Sequence, residues 1–117
     1  MMLWQSAAIG VFVRRRMKNS ATFKEVISIF IDGATEGISA TGTLKIKGNQ
    51  LIHYKTPVAE RYGESIIVNT SRYSLATGQL QKQILSIVPP EKRIIVKRVP
   101  IAYNGSLSQF VTHAQGH

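Results

Sequence analysis

The sequence predicts a small α+β domain, in which an antiparallel sheet of three to four strands packs under two helices. Three observations predict this fold: two segments carry apolar residues at helical spacing, the segment between them alternates and turns like a strand meander, and a β-branched run follows the second helix. The predicted order is helix, strand, strand, strand, helix, strand. In such a two-layer domain the helices bury one face of the sheet and the other face stays in water.

The first helix is predicted from Phe23 to Asp32. Residues 22–25, Thr-Phe-Lys-Glu, have the form of a capping box, in which the Thr22 hydroxyl and the Glu25 carboxylate each accept a hydrogen bond from the other residue's amide. Gly33 can end this helix in a left-handed conformation. Residues 35–37, Thr-Glu-Gly, are predicted to form a turn.

The middle of the chain is predicted to form the three strands. Residues 41–47 alternate in polarity, Gly48-Asn49 favours a hairpin turn, and residues 51–55 return. Pro57 is expected to interrupt the ladder because it has no amide hydrogen. After a second turn, the run Ile66-Ile67-Val68 predicts a central strand.

The sequence does not decide which residues of the returning strand face the core. A plain two-residue turn places Leu51 and His53 beside Ile46, whereas a bulge places Ile52 and Tyr54 there instead.

A second helix is predicted after Ser74 or Thr77, either of which can cap it. One apolar stripe runs along this helix, and Gln81 lies off that stripe. Pro89-Pro90 stops the helix, and residues 94–96 then predict the last strand.

The chain of 117 residues has room for one domain, which we place at residues 17–102. Residues 1–16 are interpreted as an N-terminal extension, because an apolar stretch too short to span a bilayer precedes three arginines, the reverse of the order in a secretory signal. This extension can be an interfacial helix, an element packed on the domain, or an upstream segment without a structural role, with Met17 as an alternative start. Residues 103–117, rich in Gly, Ser, Gln and His, are predicted to be a flexible tail.

Net charge is the strongest bulk feature of the chain. Fifteen Lys and Arg face six Asp and Glu, which gives +9. This surplus favours an anionic partner, and among such partners we favour nucleic acid or a nucleoprotein complex over a membrane surface. The alternative is a protein that is simply basic. The chain has no cysteine, which excludes a disulfide framework and a cysteine zinc site and fits a cytoplasmic location.

Catalysis is not predicted. The six carboxylates are scattered, and neither a phosphate loop nor a GxSxG elbow is present. Of the three histidines, only His53 lies in a predicted strand, where it is expected to be structural. We therefore expect a protein that is not an enzyme and that needs no cofactor or metal.

The candidate binding residues are basic and tyrosine side chains in or beside the strands. Lysine and arginine on a solvated sheet face can contact phosphates, and tyrosine can stack on unpaired bases. For each residue the alternative is an ordinary solvated face whose lysines protect edge strands from pairing. The pattern contains no RNP motif, KH loop or helix-turn-helix. The predicted nucleic-acid-binding residues are Lys45, Lys47, Lys55, Arg61, Arg72, Tyr73, Lys97 and Arg98.

The polar segment 69–77 connects the central strand to the second helix. Its Asn and Ser side chains can organise this connection by local hydrogen bonds, and the helix N-terminus near Thr77 can also receive a phosphate. Plain capping is the favoured interpretation.

Residues 22–85 contain a spaced pattern, Gly48-Asn49-x-Leu51-x-x-Tyr54-x-Thr56-x-Val58-Ala59 followed by Val68-Asn69-x-x-x-Tyr73-Ser74-x-x-Thr77. With this pattern the chain resembles small uncharacterised domains found in phage and plasmid genomes. The matching positions are turn, core and capping residues, and no established activity accompanies them. The resemblance implies a protein of a mobile element, including one that antagonises host defence.

Three functions compete at this stage. The first is an accessory protein that binds nucleic acid through a basic sheet face, with affinity that falls steeply with salt. The second is an inhibitor that binds a host defence nuclease complex, in the manner of an anti-CRISPR protein, with less sensitivity to salt. The third is a small homo-oligomeric structural protein. A homodimer is compatible with all three.

Overall fold

The computed structural model of the protein describes residues 21–111, so the predictions for residues 1–16 lie outside it. No helix in the described part of the chain is long and apolar enough to cross a membrane. In chain order, the helices and strands are α1 (Phe23–Ile31), β1 (Glu36–Ile38), β2 (Leu44–Lys47), β3 (Gln50–His53), β4 (Thr56–Tyr62), β5 (Ser65–Asn69), α2 (Leu75–Ile87) and β6 (Arg93–Val96), with short 3-10 turns at Pro90–Lys92 and Leu107–Phe110.

The six strands form one sheet and lie in it in chain order. Strands β1 to β5 are antiparallel to their neighbours, whereas β6 is parallel to β5. The α+β class with two helices is confirmed, but the sheet is larger than the predicted three to four strands and is mixed. The last strand is parallel because α2 carries the chain back along the sheet before β6 begins.

Strand β1 is formed by residues that the sequence predicted to be a turn. Gly37 lies opposite Ile46 of β2. A Cβ atom on Gly37 would lie 3.0 Å from Cδ1 of Ile46 and 3.2 Å from Cδ1 of Ile29. Glycine therefore permits the close approach of strand, neighbour and helix, and this tertiary pairing overrides the local turn signal.

Helix α1 begins as the sequence predicted. The Thr22 hydroxyl accepts from the Glu25 amide at 3.1 Å, and the Glu25 carboxylate accepts from the Thr22 amide at 2.8 Å, which completes the capping box. The helix ends at Ile31 with Asp32 as its C-cap, and Gly33 follows with φ of 109°.

The register of the β2–β3 hairpin decides which residues of β3 lie on the same face as Ile46, a point that the sequence left undecided. Ile46 lies opposite Leu51, and Leu44 lies opposite His53, as a plain two-residue turn requires. Strand β4 runs straight through Pro57 rather than stopping there. The β3–β4 register shifts beside Pro57, so the missing amide hydrogen falls at a bulge, where the ladder tolerates it.

Ser74, the first of the two predicted caps, begins α2. Its hydroxyl accepts from the Thr77 amide at 3.2 Å. Gln81, which the sequence placed off the apolar stripe, is buried, and its side-chain amide donates to the carbonyls of Asn69 and Ser71 at 2.8 and 2.9 Å. These bonds tie the strand-to-helix connection to the helix itself.

Both faces of the sheet are covered, although unequally. The helices cover one face and form the main core with it. The chain after β6 crosses the other face over β4 and β5, where it forms a second, smaller cluster with Ile67 and Val96. The part of that face formed by β2 and β3 stays open, with Lys45 and Lys47 exposed. The buried members of the second cluster are Ile67, Val96, Val99 and Leu107.

The predicted flexible tail began at residue 103. Residues 103–111 pack on the sheet in the structure, while residues 112–117 lie outside the described range. Leu107 is fully buried, and its amide donates to the buried Glu60 carboxylate at 2.7 Å. The packed domain therefore extends to residue 111, because sparse apolar side chains in a polar segment fill the uncovered half of the sheet.

Candidate nucleic-acid interface

Six of the eight predicted binding residues lie on one connected surface, which we call the basic rim. It begins on the open face of the sheet and continues around one end of it. Each of the six side chains is exposed. The rim consists of Lys45, Lys47, Lys55, Arg72, Lys97 and Arg98.

The first stretch of the rim is a groove of about 650 Å³ on the open face. Lys45 and Lys47 reach this face because side chains alternate along β2, where Leu44 and Ile46 point into the core. Lys55 lines the same groove from the β3–β4 turn. The segment that follows β6 forms the far wall, through Tyr103 and Asn104.

A second cavity, a cleft of about 570 Å³, adjoins this groove. It lies where β3 ends, β4 begins and α2 starts. Most of its lining is apolar or aromatic, including Tyr54 and Ile101, while Lys45 and Lys55 line both the groove and the cleft. The cleft therefore continues the groove around the end of the sheet.

Two shallower hollows complete the rim. The first hollow, of about 420 Å³, adjoins the cleft, with which it shares Tyr73 and Ser74. The second hollow, of about 480 Å³, adjoins the first, with which it shares Arg72. Lys97 and Arg98 line the last hollow, just after the end of β6. Because each cavity shares lining residues with the next, the six cations border a continuous path.

Both helices begin at this end of the sheet. The Phe23 ring of α1 lies 5.8 Å from the His53 ring at the end of β3, and the Thr77 hydroxyl of α2 lies 3.1 Å from Nδ1 of the same histidine. The N-terminus of a helix carries a partial positive charge. The N-terminus of α2, which has no acidic residue in its first turn, therefore adds to the positive potential of the rim, whereas the Glu25 carboxylate offsets that of α1.

The exposed carboxylates of the described residues gather at the opposite end of the sheet, with one exception. Glu25 lies near the rim end, where its carboxylate is engaged in the capping box. The others lie at the start of β1, in the β4–β5 turn, just after α1 and just before β6. They are Asp32, Glu36, Glu64 and Glu91. Lys47 has one of these carboxylates beside it, because Glu36 lies directly opposite it in the β1–β2 pair. Lys55, Arg72, Lys97 and Arg98 lie at the other end of the strands, away from all four, and attract anions there.

The structure places Arg61 away from the rim. Its guanidinium donates to the carbonyls of Phe30 and Ala34, at 2.7 and 2.8 Å, and to that of Gly48 at 2.9 Å. It also lies 4.8 Å from the centre of the Phe30 ring. Arg61 therefore binds the carbonyls at the end of α1 and holds the hairpin there, so we leave it out of the interface.

Tyr73 lies beside the rim but serves the fold. Its hydroxyl donates to the carbonyl of Val99 and accepts from the Asn69 side-chain amide at 3.0 Å. Ser71 also accepts from the Val99 amide at 2.8 Å. Segment 69–77 thus organises the strand-to-helix connection by internal hydrogen bonds, which is the interpretation that the sequence favoured, and it fixes the wall on which Lys97 and Arg98 lie.

His53 is buried between the two helices and the sheet. Its Nδ1 bonds the Thr77 hydroxyl, and its ring contacts those of Phe23 and Tyr54 edge-on. Burial lowers the pKa of His53, because the neutral imidazole is favoured where water is removed. These contacts support the predicted structural role, and the histidine fixes the floor of the cleft.

Sequence reasoning did not include Tyr54 and Ile101 among the binding residues. Tyr54 is 65% exposed and Ile101 is 74% exposed, and both line the cleft. The sequence predicted Tyr54 to lie within the returning strand, residues 51–55, whereas β3 ends at His53 and Tyr54 lies in the turn that follows. Ile101 gave no signal in the sequence, because only the path of the chain after β6 brings it to the cleft.

Comparison of the chain with protein-family models, with curated proteins and with solved structures found no match. Residues 21–111 contain no cluster of three or more histidine and carboxylate side chains that could hold a metal ion. The geometry of the rim is therefore the basis of the functional argument.

Proposed function

We propose that the protein binds nucleic acid along the basic rim. The observation that carries this proposal is the grouping of six exposed cations along adjoining cavities on the open face and at one end of the sheet. Of the exposed carboxylates, Glu36 lies opposite Lys47, and Asp32, Glu64 and Glu91 lie at the other end of the sheet from Lys55, Arg72, Lys97 and Arg98. A protein that was merely basic would not need its cations to border adjoining cavities.

The chemistry of the rim suits a polyanion. Lysine and arginine side chains that contact phosphates release the counterions condensed on the nucleic acid, and this release supplies most of the sequence-independent affinity. The N-terminus of α2 adds partial positive charge, and the exposed side chains can follow a flexible backbone without rearranging the core.

The proposal is tested by titrating labelled single-stranded and duplex DNA and RNA with the full chain at two salt concentrations. Binding should be tight at low salt and weaken steeply at high salt. Reversing the charge of a rim residue, by Lys55→Glu or Arg72→Glu, should weaken binding about tenfold.

Lys92→Glu is the matched control. Lys92 is as exposed as the rim residues but lies just before β6, at the acidic end of the sheet. Its reversal alters the net charge equally and should change affinity far less. Equal losses from Lys92→Glu and from the rim variants would show that net charge alone drives binding and would refute the proposed interface. Binding no stronger than that of an unrelated protein of equal charge would redirect the search to a protein partner.

A further inference from the structure

We infer that the nucleic acid bound by the rim is single-stranded, and that one unpaired base occupies the cleft against Tyr54. This inference rests on the proposed function and specifies the class of ligand. Three features carry it: the conformation of Tyr54, the fixed opposite wall of the cleft, and the place of the cleft between two groups of cations.

Tyr54 occupies its position at an energetic cost. Its φ is 58°, in the left-handed region that bulky residues avoid and that glycine or asparagine adopts readily. Its ring is 65% exposed and touches the His53 ring edge-on, at 4.6 Å between centres and 65° between planes. The turn would be better served by asparagine, and the core gains little from this ring. An exposed aromatic face beside lysines is, however, what an unpaired base stacks on.

The opposite wall of the cleft is held in place rather than collapsed. Ile101 is 74% exposed, and the next residue, Ala102, has φ of 58° and donates its amide to the Thr56 hydroxyl at 2.8 Å. Two residues earlier, Val99 is tied to Ser71 and Tyr73. These bonds hold an apolar side chain out in solvent at the mouth of the cleft.

The cleft is large enough to hold a base, and its surroundings suit a single strand. Its volume of about 570 Å³ falls in the range of sites that enclose small organic groups, roughly 300–1,000 Å³. Lys55 lines the cleft itself, and Arg72 lines the hollow that follows it. A flexible strand can place phosphates near both cations and turn a base inward. A duplex cannot do this without unpairing, because its bases are stacked between the two backbones.

The test compares probes of equal length that differ in their bases, their sugar or their pairing. The full chain is titrated with labelled oligothymidylate and oligouridylate of about 12 nucleotides, with an abasic strand of the same phosphate count, and with a duplex of that length. Both base-containing single strands should bind at least about tenfold more tightly than the abasic strand. Oligodeoxyuridylate, which differs from oligouridylate only in lacking the 2′-hydroxyl, then identifies the source: tighter binding than oligouridylate indicates DNA, and weaker binding indicates RNA.

Variants of Tyr54 complete the experiment. Tyr54→Leu keeps a large side chain that is not branched at Cβ but removes the aromatic face, and it should weaken the binding of base-containing strands about tenfold while leaving the binding of the abasic strand unchanged. Tyr54→Phe should restore binding. The matched control is Tyr62→Leu, which removes an exposed tyrosine at the acidic end of the sheet and should have no effect.

Two results would overturn the inference and remain distinct from failure of the proposed function. If the abasic strand or the duplex binds as tightly as oligothymidylate, or if Tyr54→Leu changes nothing, no base is bound in the cleft, although salt-sensitive binding through the rim still stands. If no probe binds, the proposed function fails and the inference fails with it.

Discussion

If the protein binds nucleic acid as proposed, the salt dependence of binding counts the rim residues that contact phosphates. For a single strand, the logarithm of the association constant falls with the logarithm of salt concentration by about 0.7 for each neutralised phosphate. If each of the six rim cations contacts one phosphate, the slope is about −4. Replacing Lys55 and Arg72 together by glutamine should reduce its magnitude by about 1.4, because these two residues border neighbouring cavities along the path.

The slope is measured by fluorescence anisotropy of a labelled oligothymidylate across a salt series, for the full chain and for each variant. Lys92→Gln removes one exposed charge at the acidic end and should leave the slope unchanged. Thermal unfolding of each variant confirms that it is folded. A slope near zero in the unmodified protein, or an equal reduction by Lys92→Gln, would refute the assignment of phosphate contacts to the rim.

Three further predictions concern residues that hold the site in place. Arg61→Ala should lower the free energy of unfolding by about 2 kcal/mol in urea titration, because the carbonyls at the end of α1 lose their hydrogen-bond donor. It should not change the affinity for nucleic acid. Weaker binding at unchanged stability would show that Arg61 belongs to the interface. Leu107→Ala should cost about 3 kcal/mol by the same measurement, because the side chain is fully buried in the second cluster; no loss would contradict the packing of residues 103–111. His53 has a lowered pKa in the folded protein, so below about pH 6.5 the unfolded chain binds more protons and stability falls as pH drops. His53→Gln should therefore reduce the difference in the free energy of unfolding between about pH 7.5 and pH 5.5, measured by urea titration. An unchanged difference would contradict a lowered pKa for His53.

Local signals in the sequence were sufficient for the parts of the fold that depend on neighbours in the chain. The capping box of α1 needs only Thr22 and Glu25, and both hydrogen bonds form. Alternation along β2 placed Lys45 and Lys47 on the face opposite the core, which is where they lie. The hairpin turn also formed, but the face of its second strand needed the observed register.

Tertiary contacts decided the parts that the sequence could not predict. Gly37 reads as a turn residue until a neighbouring strand is present to pair with it. Leu107 is an isolated apolar residue in a polar segment, and only the uncovered half of the sheet gives it a place to be buried. Arg61 resembles any other exposed strand arginine until the end of α1 comes within reach of its guanidinium.

The most direct test of the basic rim is to map where a single strand touches the full chain, by following backbone amide chemical shifts during titration with oligothymidylate. We predict the largest shifts at Tyr54, Lys55, Arg72 and Arg98, with saturation at one common affinity and little change at Glu64 and Glu91. Shifts centred on Glu64, Glu91 and the acidic end of the sheet, or spread evenly over the surface, would contradict the rim as the site of nucleic-acid binding.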